Sequence, residues 1–375
     1  MKRLKVVTIV GTRPEIIRLS RVISALDEYT NHILVHTGQN YDYELNKIFF
    51  DDLELRSPDL FLNCATESSA GTIGKVIAET DKILIDEKPD AVLILGDTNS
   101  CLSAIAAKKR LIPIFHMEAG NRCFDERVPE ETNRRIVDHI SDINLTYSTI
   151  SREYLLQEGK KPETVIKTGS PMFEVLSYYE EKIKNSDILK RLNLKERDYF
   201  LVSAHREENL DIPKNFKQLI SSINAVGSKF RKRIIFSTHP RTRKKIKELS
   251  PKLNNKIELI KPLSFSDYNH LQTKAITTLS DSGTISEESS ILNFPALNIR
   301  TCHERPESFE EAPLIMSGLE KNSIIQAIEI VKNQSRDSRD FKLVSDYSAN
   351  NVSMKILRIM LSYTPYVRHY LHRRS

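Results

Sequence analysis

Short runs of apolar and β-branched residues alternate with longer stretches of helical period along the first half of the chain. In Pro14–Tyr29, for example, Ile16, Leu19, Ile23 and Leu26 recur at the spacing of one helix face. Buried strands that alternate with amphipathic helices are typical of βαβ units in a parallel sheet. The predicted strands of this half are Leu4–Val10, His32–His36, Ala91–Leu95, Pro113–His116, Ile143–Tyr147 and Val165–Thr168.

A second series of the same kind follows the charged stretch Glu180–Arg197. A chain of 375 residues exceeds what one core usually serves, so we predict an α/β protein with two Rossmann-like, doubly wound domains at 1–180 and 181–350. Ligands bind at the carboxyl ends of such strands, which predicts a substrate cleft between the domains. The segment Asn351–Ser375 predicts one long helix that returns to the first domain and is kinked or broken at Pro365. The predicted strands of the second half are Tyr199–Ser203, Arg233–Ser237, Ile257–Ile260, Ala275–Leu279 and Ala296–Ile299.

Composition narrows the class of protein. Hydrophobic residues make up 39% and charged residues 28% of the chain, as in ordinary globular proteins. The longest apolar runs, such as Val6–Val10, fall far short of the roughly 20 residues that a membrane span needs. Charged residues return at Arg13 and Glu15, too early for a secretory signal, so a cytoplasmic location is expected.

Charge and cysteine usage exclude further classes. The net charge is +6, but no nucleic-acid-binding motif accompanies the basic clusters. The positive electrostatic field therefore suits a polyanionic small substrate better than nucleic acid. The cysteines lie far apart without a CxxC motif, which argues against a disulfide framework and a zinc site. They are Cys64, Cys101, Cys123 and Cys302.

The first predicted strand ends in the sequence Gly-Thr-Arg-Pro-Glu at 11–15. Gly11 allows a tight turn, and Pro14 suits the start of a helix. Free backbone N–H groups there can hold an anion, and Arg13 is hard to explain structurally. A plain turn and cap would use the same residues, and the nicotinamide-type GxGxxG is absent. Arg13 is therefore a candidate anion ligand.

Carboxylates follow the next strands. Asp97 lies between an apolar strand and a helical stretch, so a helix cap and a catalytic role weigh about equally. Glu118 follows another strand and has no such explanation. Glu130 opens a helix, where acidic residues also complement the helix dipole. Together the three carboxylates provide the means for general acid and base work on opposite faces of a substrate.

The second half contributes groups that suit phosphate. A lone histidine is usually structural, but His205 lies beside Arg206 directly after a strand. Ser282 and Gly283 follow another strand and open a helix, where N–H groups and a hydroxyl can bind phosphate. Glu288 and the glutamate before it either compensate the helix dipole or bind ribose hydroxyls. Phosphate plus ribose is favoured because the expected cleft lies at these strand ends.

Taken in order, eight motifs resemble the non-hydrolysing UDP-N-acetylglucosamine 2-epimerase family. None is decisive alone, but the series covers almost the whole chain. The motifs are GTRPE at 11–15, GDT at 96–98, HMEAG at 116–120, PEETNR at 129–134, HR at 205–206, THP at 238–240, DSG at 281–283 with its Glu pair, and ERPE at 304–307.

The resemblance implies the glycosyltransferase-B fold, a homodimer, UDP held mainly by the second domain, and no metal or redox cofactor. It also implies roles for the matching residues. By motif, Arg13, His205, Ser282, Gly283 and Glu288 contact UDP, with His205 near the departing phosphate; Asp97, Glu118 and Glu130 are the catalytic acids; and Arg122 and Arg305 are additional site residues.

Two segments depart from the ordinary members of this family. The stretch 120–128, together with 169–174, resembles the branch that makes UDP-N-acetyl-L-fucosamine from UDP-2-acetamido-2,6-dideoxy-L-talose for capsule and O-antigen synthesis. The segment 38–43 replaces a Gln-His segment that is linked to activation by a second UDP-N-acetylglucosamine, so the sequence does not predict that activation.

Other functions stay open on sequence alone. The substrate alternatives are UDP-N-acetylglucosamine itself and a UDP-linked 2,3-diacetamido uronic acid. A glycosyltransferase of the same fold would need an acceptor, whereas epimerisation would proceed with the sugar nucleotide alone. A nucleotide-sugar sensor would bind UDP without turnover, which the carboxylates disfavour.

Overall fold

The computed structural model describes residues 3–39 and 43–372. Asn40, Tyr41 and Asp42, part of the departing segment 38–43, lie outside the described residues. The chain divides into two compact units: residues 1–178 with 346–375, and residues 179–345. Each unit is built on its own sheet.

Within the described residues, the first unit holds a seven-stranded parallel sheet with strand order β3-β2-β1-β4-β5-β6-β7. Its strands are β1 Lys5–Val10, β2 Asn31–His36, β3 Leu60–Phe61, β4 Ala91–Leu95, β5 Ile114–Met117, β6 Ile143–Thr146 and β7 Val165–Lys167. Its helices are α1 Arg13–Tyr29, α2 Tyr43–Asp52, α3 Ser69–Glu87, α4 Ala104–Lys109, α5 Pro129–Ile140, α6 Thr149–Gln157 and α7 Met172–Tyr178, with 3-10 turns at Asn99–Ser103 and Pro162–Thr164.

The core of this unit follows from the apolar strands. Val7 and Ile9 of β1 and Val92 and Ile94 of β4 are buried together, and helices cover the sheet. The chain winds outward from β1 in both directions, because β2 lies on one side of it and β4 on the other. The loops after β1 and β4 therefore diverge at a topological switch point, where doubly wound sheets bind ligands.

The second unit repeats this plan with six parallel strands among its described residues, in the order β10-β9-β8-β11-β12-β13. Its switch point lies between β8 and β11. Its strands are β8 Tyr199–Ser203, β9 Arg233–Ser237, β10 Ile257–Ile260, β11 Thr278–Ser280, β12 Ala296–Asn298 and β13 Ile315–Met316. Its helices are α8 Glu180–Lys184, α9 Ile188–Arg191, α10 Glu207–Leu210, α11 Pro213–Phe230, α12 Pro240–Leu249, α13 Phe265–Lys274, α14 Ile285–Leu292 and α15 Lys321–Val331, with a 3-10 turn at Pro306–Glu310.

The fold class predicted from sequence, two Rossmann-like parallel-sheet domains, is confirmed. Some boundaries differ. The strand expected at Ala275–Leu279 begins at Thr278, because Ala275 still ends helix α13 with its N–H bonded to the Leu271 carbonyl oxygen. Two strands, β3 and β13, were not predicted, since each has only two residues and carries no periodicity.

The prediction of a single helix over 351–375 is partly wrong. Helix α16 spans Val352–Tyr366, and a π-helical turn follows at Val367–Leu371. Pro365 lies inside α16, where it removes one backbone donor, and the wider turn begins two residues later. Helix α16 packs against α1 of the first unit. No helix in 3–39 or 43–372 is long and apolar enough to cross a membrane.

Candidate active site

The turn after β1 places its own backbone and the side chain of Arg13 at the first switch point. A Cβ atom on Gly11 would lie 2.4 Å from Thr37 Oγ1, so no larger residue fits there without a shift. Helix α1 begins directly after this turn, with Pro14 in its first turn. The Arg13 guanidinium lies 5.5 Å from the centre of the Phe49 ring. The side chain is thus held at the start of the helix, at the carboxyl edge of the sheet.

Asp97 follows β4 on the other side of the switch point. Its Oδ2 accepts a 3.0 Å hydrogen bond from Arg134 Nε and lies 2.6 Å from Arg134 Nη2 in an ion pair. The N-cap position of the following 3-10 turn is Thr98. Because Thr98 and not Asp97 occupies the cap position, the structure favours a role in the site for the Asp97 carboxylate.

Glu118 follows β5, the neighbour of β4, and its backbone is left-handed with φ of 64°. Such a conformation costs of order 1 to 3 kcal/mol for a residue with a Cβ and is concentrated at functional sites. The carboxylate pairs with Arg18 of α1 and accepts a 3.3 Å bond from Asn121 Nδ2. Glu118 Oε2 also lies 3.5 Å from where a Cβ on Gly96 would be, beside Asp97. The structure thus brings these two acids to adjacent strand ends.

A buried aspartate, Asp138 of α5, anchors the loop after Glu118. It accepts hydrogen bonds from the Gly120 N–H at 3.1 Å and from Arg122 at 2.7 Å, and it lies 2.9 Å from His116 Nδ1. Arg122 also pairs with Glu158, and its side chain is fully buried. These contacts give Arg122 a structural role within the unit, and its assignment as an additional site residue stays a prediction.

Glu130 and Glu131 open helix α5 but have different surroundings. Glu131 is buried and accepts bonds from the Cys123 N–H at 3.1 Å and Arg134 Nη1 at 3.2 Å. Although burial raises its pKa, the hydrogen bonds from Cys123 and the charge of Arg134 lower it below the usual value. Glu130 is partly exposed, one helical turn before Arg134. Residues four apart share a helix face, so Glu130 lies on the face whose arginine reaches Asp97.

In the second unit, His205 follows β8 at the switch point and is anchored by Asp281 at the end of β11. Asp281 accepts bonds of 3.0 Å from the backbone N–H groups of His205 and Arg206, and it lies 3.1 Å from His205 Nδ1. The His205 side chain is 34% exposed, while Asp281 is fully buried. With Nδ1 held by the carboxylate, Nε2 is left to face a ligand.

The same contacts change the pKa of Asp281. Burial alone would raise the pKa, but interactions with His205, Arg206 and Asn209 outweigh it and lower the pKa from 3.8 to about 2. A folded-state pKa below the unfolded value stabilises the fold above about pH 4, and this stabilisation is lost as the pH falls through about 2.

We therefore expect Asp281→Asn to lower the free energy of unfolding at pH 7 by about 2 to 3 kcal/mol, the equivalent of the pKa difference. The difference from wild type should shrink as the pH falls from about 4 to about 2. Urea unfolding across this range measures it, with the exposed Asp337→Asn as a matched control. Equal stabilities of wild type and Asp281→Asn at pH 7 would show that Asp281 is not the anchor.

The turn after Asp281 has the features expected of a phosphate loop. Ser282 Oγ lies 2.9 Å from Thr284 Oγ1, and a Cβ on Gly283 would lie 3.3 Å from Arg206 Nη2. Gly283 thus leaves room beside a cation at the start of α14. Within that helix, Glu288 is buried and accepts a 2.9 Å bond from Gln272 Nε2.

Arg305 is also buried, and its Nη2 lies 3.5 Å from Glu287 Oε2. This contact ties the ERPE segment to the Glu pair of α14. Within the second unit, Arg305 therefore belongs to the same side-chain cluster as the phosphate-type turn.

Four charged side chains that contact the candidate site residues or lie in the turns that carry them were not singled out from sequence: Glu15, Arg18, Arg134 and Asp281. Glu15 and Arg18 occupy buried positions of α1, three residues apart. Charged residues at the period of an apolar helix face are a signal that could have revealed them. Among the described residues, no group of three or more His, Cys, Asp or Glu side chains could hold a metal ion.

Two Rossmann-like parallel-sheet units with charged side chains at their switch points are the architecture of the glycosyltransferase-B fold. A family model described as UDP-N-acetylglucosamine 2-epimerase matches residues 24–361. The chain therefore belongs to the UDP-N-acetylglucosamine 2-epimerase family. The predicted family and the predicted isomerase class are both confirmed.

Individual relatives agree with this assignment. The structure of UDP-N-acetylglucosamine 2-epimerase from Rickettsia bellii is 52% identical, covers 99% of this chain with 100% of its own, and has a TM-score of 0.92. The Methanocaldococcus jannaschii UDP-GlcNAc 2-epimerase, in complex with UDP-GlcNAc and UDP, is 35% identical over 96% of this chain and 100% of its own, with a TM-score of 0.89. The UDP-2,3-diacetamido-2,3-dideoxy-D-glucuronate 2-epimerase of Pseudomonas aeruginosa is 30% identical over 86% of this chain and 91% of its own.

Proposed function

We propose that this protein inverts C2 of a UDP-linked 2-acetamido sugar by eliminating UDP and adding it back. The observation that carries the proposal is the location of the two residue sets. Carboxylates with arginine partners occupy the switch point of the first sheet, and a histidine with a phosphate-type turn occupies that of the second. The family supports the same reaction, since its relatives are named as 2-epimerases of UDP-sugars.

The reaction requires charge stabilisation before proton transfer. The C1–O bond breaks first, and its electron pair leaves with UDP, so positive charge develops on the sugar. A carboxylate then removes the weakly acidic C2 proton, and the C2–H electron pair forms the C1–C2 double bond of a 2-acetamidoglycal. A second acid returns a proton to the opposite face of C2 while UDP adds back at C1.

The first unit supplies the acids and bases in this proposal: Asp97, Glu118 and Glu130. Arg134 and Arg18 orient two of them through ion pairs. Their support is the adjacency of β4 and β5 and the shared α5 face described above. One carboxylate cannot easily serve both faces of the sugar, so at least two of the three are needed.

The second unit supplies most UDP contacts. His205, whose Nδ1 faces Asp281, meets the departing diphosphate, and Ser282 and Gly283 offer a hydroxyl and N–H groups. Glu288 lies one turn into α14, where its carboxylate can accept from ribose hydroxyls. Arg13 of the first unit adds positive charge, and Arg305 is a further UDP-side candidate.

The proposed substrate is UDP-2-acetamido-2,6-dideoxy-L-talose, giving UDP-N-acetyl-L-fucosamine. The support is the loop 120–128 directly after Glu118, together with 169–174, whose sequences resemble that branch. Phe124 within the loop is 64% exposed and packs edge-on against Tyr154, 5.3 Å between ring centres. The relatives from Rickettsia bellii and Methanocaldococcus jannaschii favour UDP-N-acetylglucosamine instead, and the Pseudomonas aeruginosa relative favours a 2,3-diacetamido uronic acid.

Proton NMR of the protein mixed separately with these three UDP-sugars tests the proposal. No acceptor is added, so glycosyl transfer cannot occur. We expect the C2 epimer to form from the L-talose compound at least about tenfold faster than from the others, a difference of about 1.4 kcal/mol in transition-state binding. Faster turnover of another UDP-sugar would change the proposed substrate but not the proposed reaction. No epimer from any of them would overturn the proposed function.

The resemblance also implies a homodimer, whereas the sequence itself predicts a cytoplasmic location and domains at 1–180 and 181–350. These three statements stay predictions.

A further inference from the structure

Glu15 is a buried carboxyl group that the proposed reaction does not use. It is 1% exposed, although it lies in the first turn of α1. Among the described residues, its carboxylate accepts from the Gly11 N–H at 2.5 Å, Thr12 Oγ1 at 3.1 Å, Ser100 Oγ at 3.0 Å and Thr98 Oγ1. A glutamate at this helix position commonly caps the helix start, which accounts for the first two bonds only.

The other two bonds reach across the switch point. Thr98 and Ser100 lie in the turn that follows Asp97, whereas Gly11 and Thr12 belong to the turn that carries Arg13. Thr98 Oγ1 also accepts a 3.1 Å bond from Gln39 Nε2, after β2. Glu15 therefore joins the turns after β1 and β4 and is linked through Thr98 to the chain after β2.

The charges around Glu15 favour a change of protonation near neutral pH. Burial raises its pKa from 4.5 to about 7, against the lowering effect of its hydrogen bonds. Two arginines of the same helix have other partners: Arg13 contacts the Phe49 ring, and Arg18 pairs with Glu118. From the facing turn the Cys101 thiol interacts with it, but burial raises the pKa of that thiol so far that it stays neutral.

The two protonation states make different hydrogen bonds. The ionised carboxylate accepts from all four donors at once. A protonated Glu15 must donate one bond itself, and the hydroxyl of Thr98 or Ser100 then turns away to donate elsewhere, since Thr98 Oγ1 and Ser100 Oγ lie 2.8 Å apart. The ionised carboxylate therefore holds both turns through four accepted bonds, whereas the protonated group holds them through a rearranged set of bonds.

We propose that Glu15 is a positioning residue of the epimerase site, whose ionised carboxylate holds the Arg13 turn and the Asp97 turn in the arrangement that the reaction needs. The inference rests on the proposed function. It assigns Glu15 no contact with substrate, only an effect through Thr98 and Ser100 on the backbone that presents Asp97.

The test compares Glu15→Gln with wild type. The amide is isosteric: its oxygen can accept from the Gly11 N–H, and its NH2 group can donate to two of the three hydroxyls, so folding should be preserved. We expect kcat to fall by about 10- to 100-fold, as small displacements of reacting groups cause. The Kd for UDP should change by less than about threefold. Wild-type kcat should rise with pH through about 7, and the variant should lack this rise.

Thr98→Val is the second variant, because it removes one bond that lowers the pKa of Glu15. It should shift the rise in kcat to higher pH without abolishing it, an effect that a merely structural residue would not have. Asp142→Asn is the matched control: Asp142 is buried in the same unit and accepts a 3.0 Å hydrogen bond from the Ile114 N–H at the start of β5, away from the switch point.

The outcomes separate the two claims. If Glu15→Gln retains wild-type kcat and the same pH profile, or if Asp142→Asn has the same effect as Glu15→Gln, the positioning role is wrong while the proposed function stands. If wild type turns over no UDP-sugar, the proposed function falls and this inference with it. Loss of kcat and of the pH-dependent rise in Glu15→Gln alone supports the inference.

Discussion

Glu118→Gln is expected to lower kcat by about 10² to 10⁴, the usual contribution of a proton-transfer group, while the Kd for UDP stays nearly unchanged. The amide oxygen can still accept from Arg18, and only the 3.3 Å bond from Asn121 is lost, so the left-handed turn at this position should persist. Initial rates from NMR and UDP binding by calorimetry measure the two quantities on the same preparation.

The same experiment on Asp97→Asn and Glu130→Gln decides how many carboxylates take part. Inversion needs a base on one face of C2 and an acid on the other, so at least one of these two variants should lose turnover to a similar degree. If both merely stabilised helix starts, their amides would lose some stability and keep their rate. Glu153→Gln, an exposed carboxylate of α6, serves as the control that should keep full activity.

If Asp97→Asn and Glu130→Gln both epimerise at close to the wild-type rate while Glu118→Gln is inactive, the mechanism with carboxylates on two faces is wrong as assigned. A Glu118→Gln variant with wild-type kcat would remove the residue from the chemistry altogether.

Much of the fold could be predicted because both sheets are built from short strands rich in apolar and β-branched residues. Strands such as Arg233–Ser237 and Ile257–Ile260 were predicted with the bounds that the structure has. The order of the strands could not be predicted, since periodicity does not say which strands are neighbours. That order is what puts the turns after β1 and β4 at a switch point.

The candidate site was predictable to the extent that its groups directly follow strands. Asp97, Glu118 and His205 each come after a strand in the sequence, and each lies at a carboxyl edge in the structure. Their partners were not predictable in the same way. Arg134 reaches Asp97 across 37 residues and Asp281 reaches His205 across 76, and no local pattern encodes such pairings.

Arg122 shows a second limit of prediction from the sequence. The family resemblance implies that Arg122 is an additional site residue, and in the structure its buried guanidinium pairs with Asp138 and Glu158 inside the unit. An arginine in a functional loop and an arginine that anchors that loop look alike in sequence. Only the geometry of the carboxylates around it separates the two roles.

The largest isotopic effect is expected at C2 of the product. If UDP elimination produces a 2-acetamidoglycal, the C2 proton is transferred to a carboxylate, and a proton exchanged with solvent is delivered to the opposite face. Product formed in D2O should then carry deuterium at C2 in nearly every molecule, whichever UDP-sugar is the true substrate.

This measurement tests the central claim most directly, because it reports the bond that C2 epimerisation must break. NMR of a reaction run in D2O with the best substrate of the panel is sufficient, with the Glu118→Gln variant as the control for non-enzymatic exchange. We predict loss of the C2 proton signal in the product, together with inverted C2 stereochemistry. An inverted product that fully retains its C2 proton would contradict elimination and re-addition of UDP.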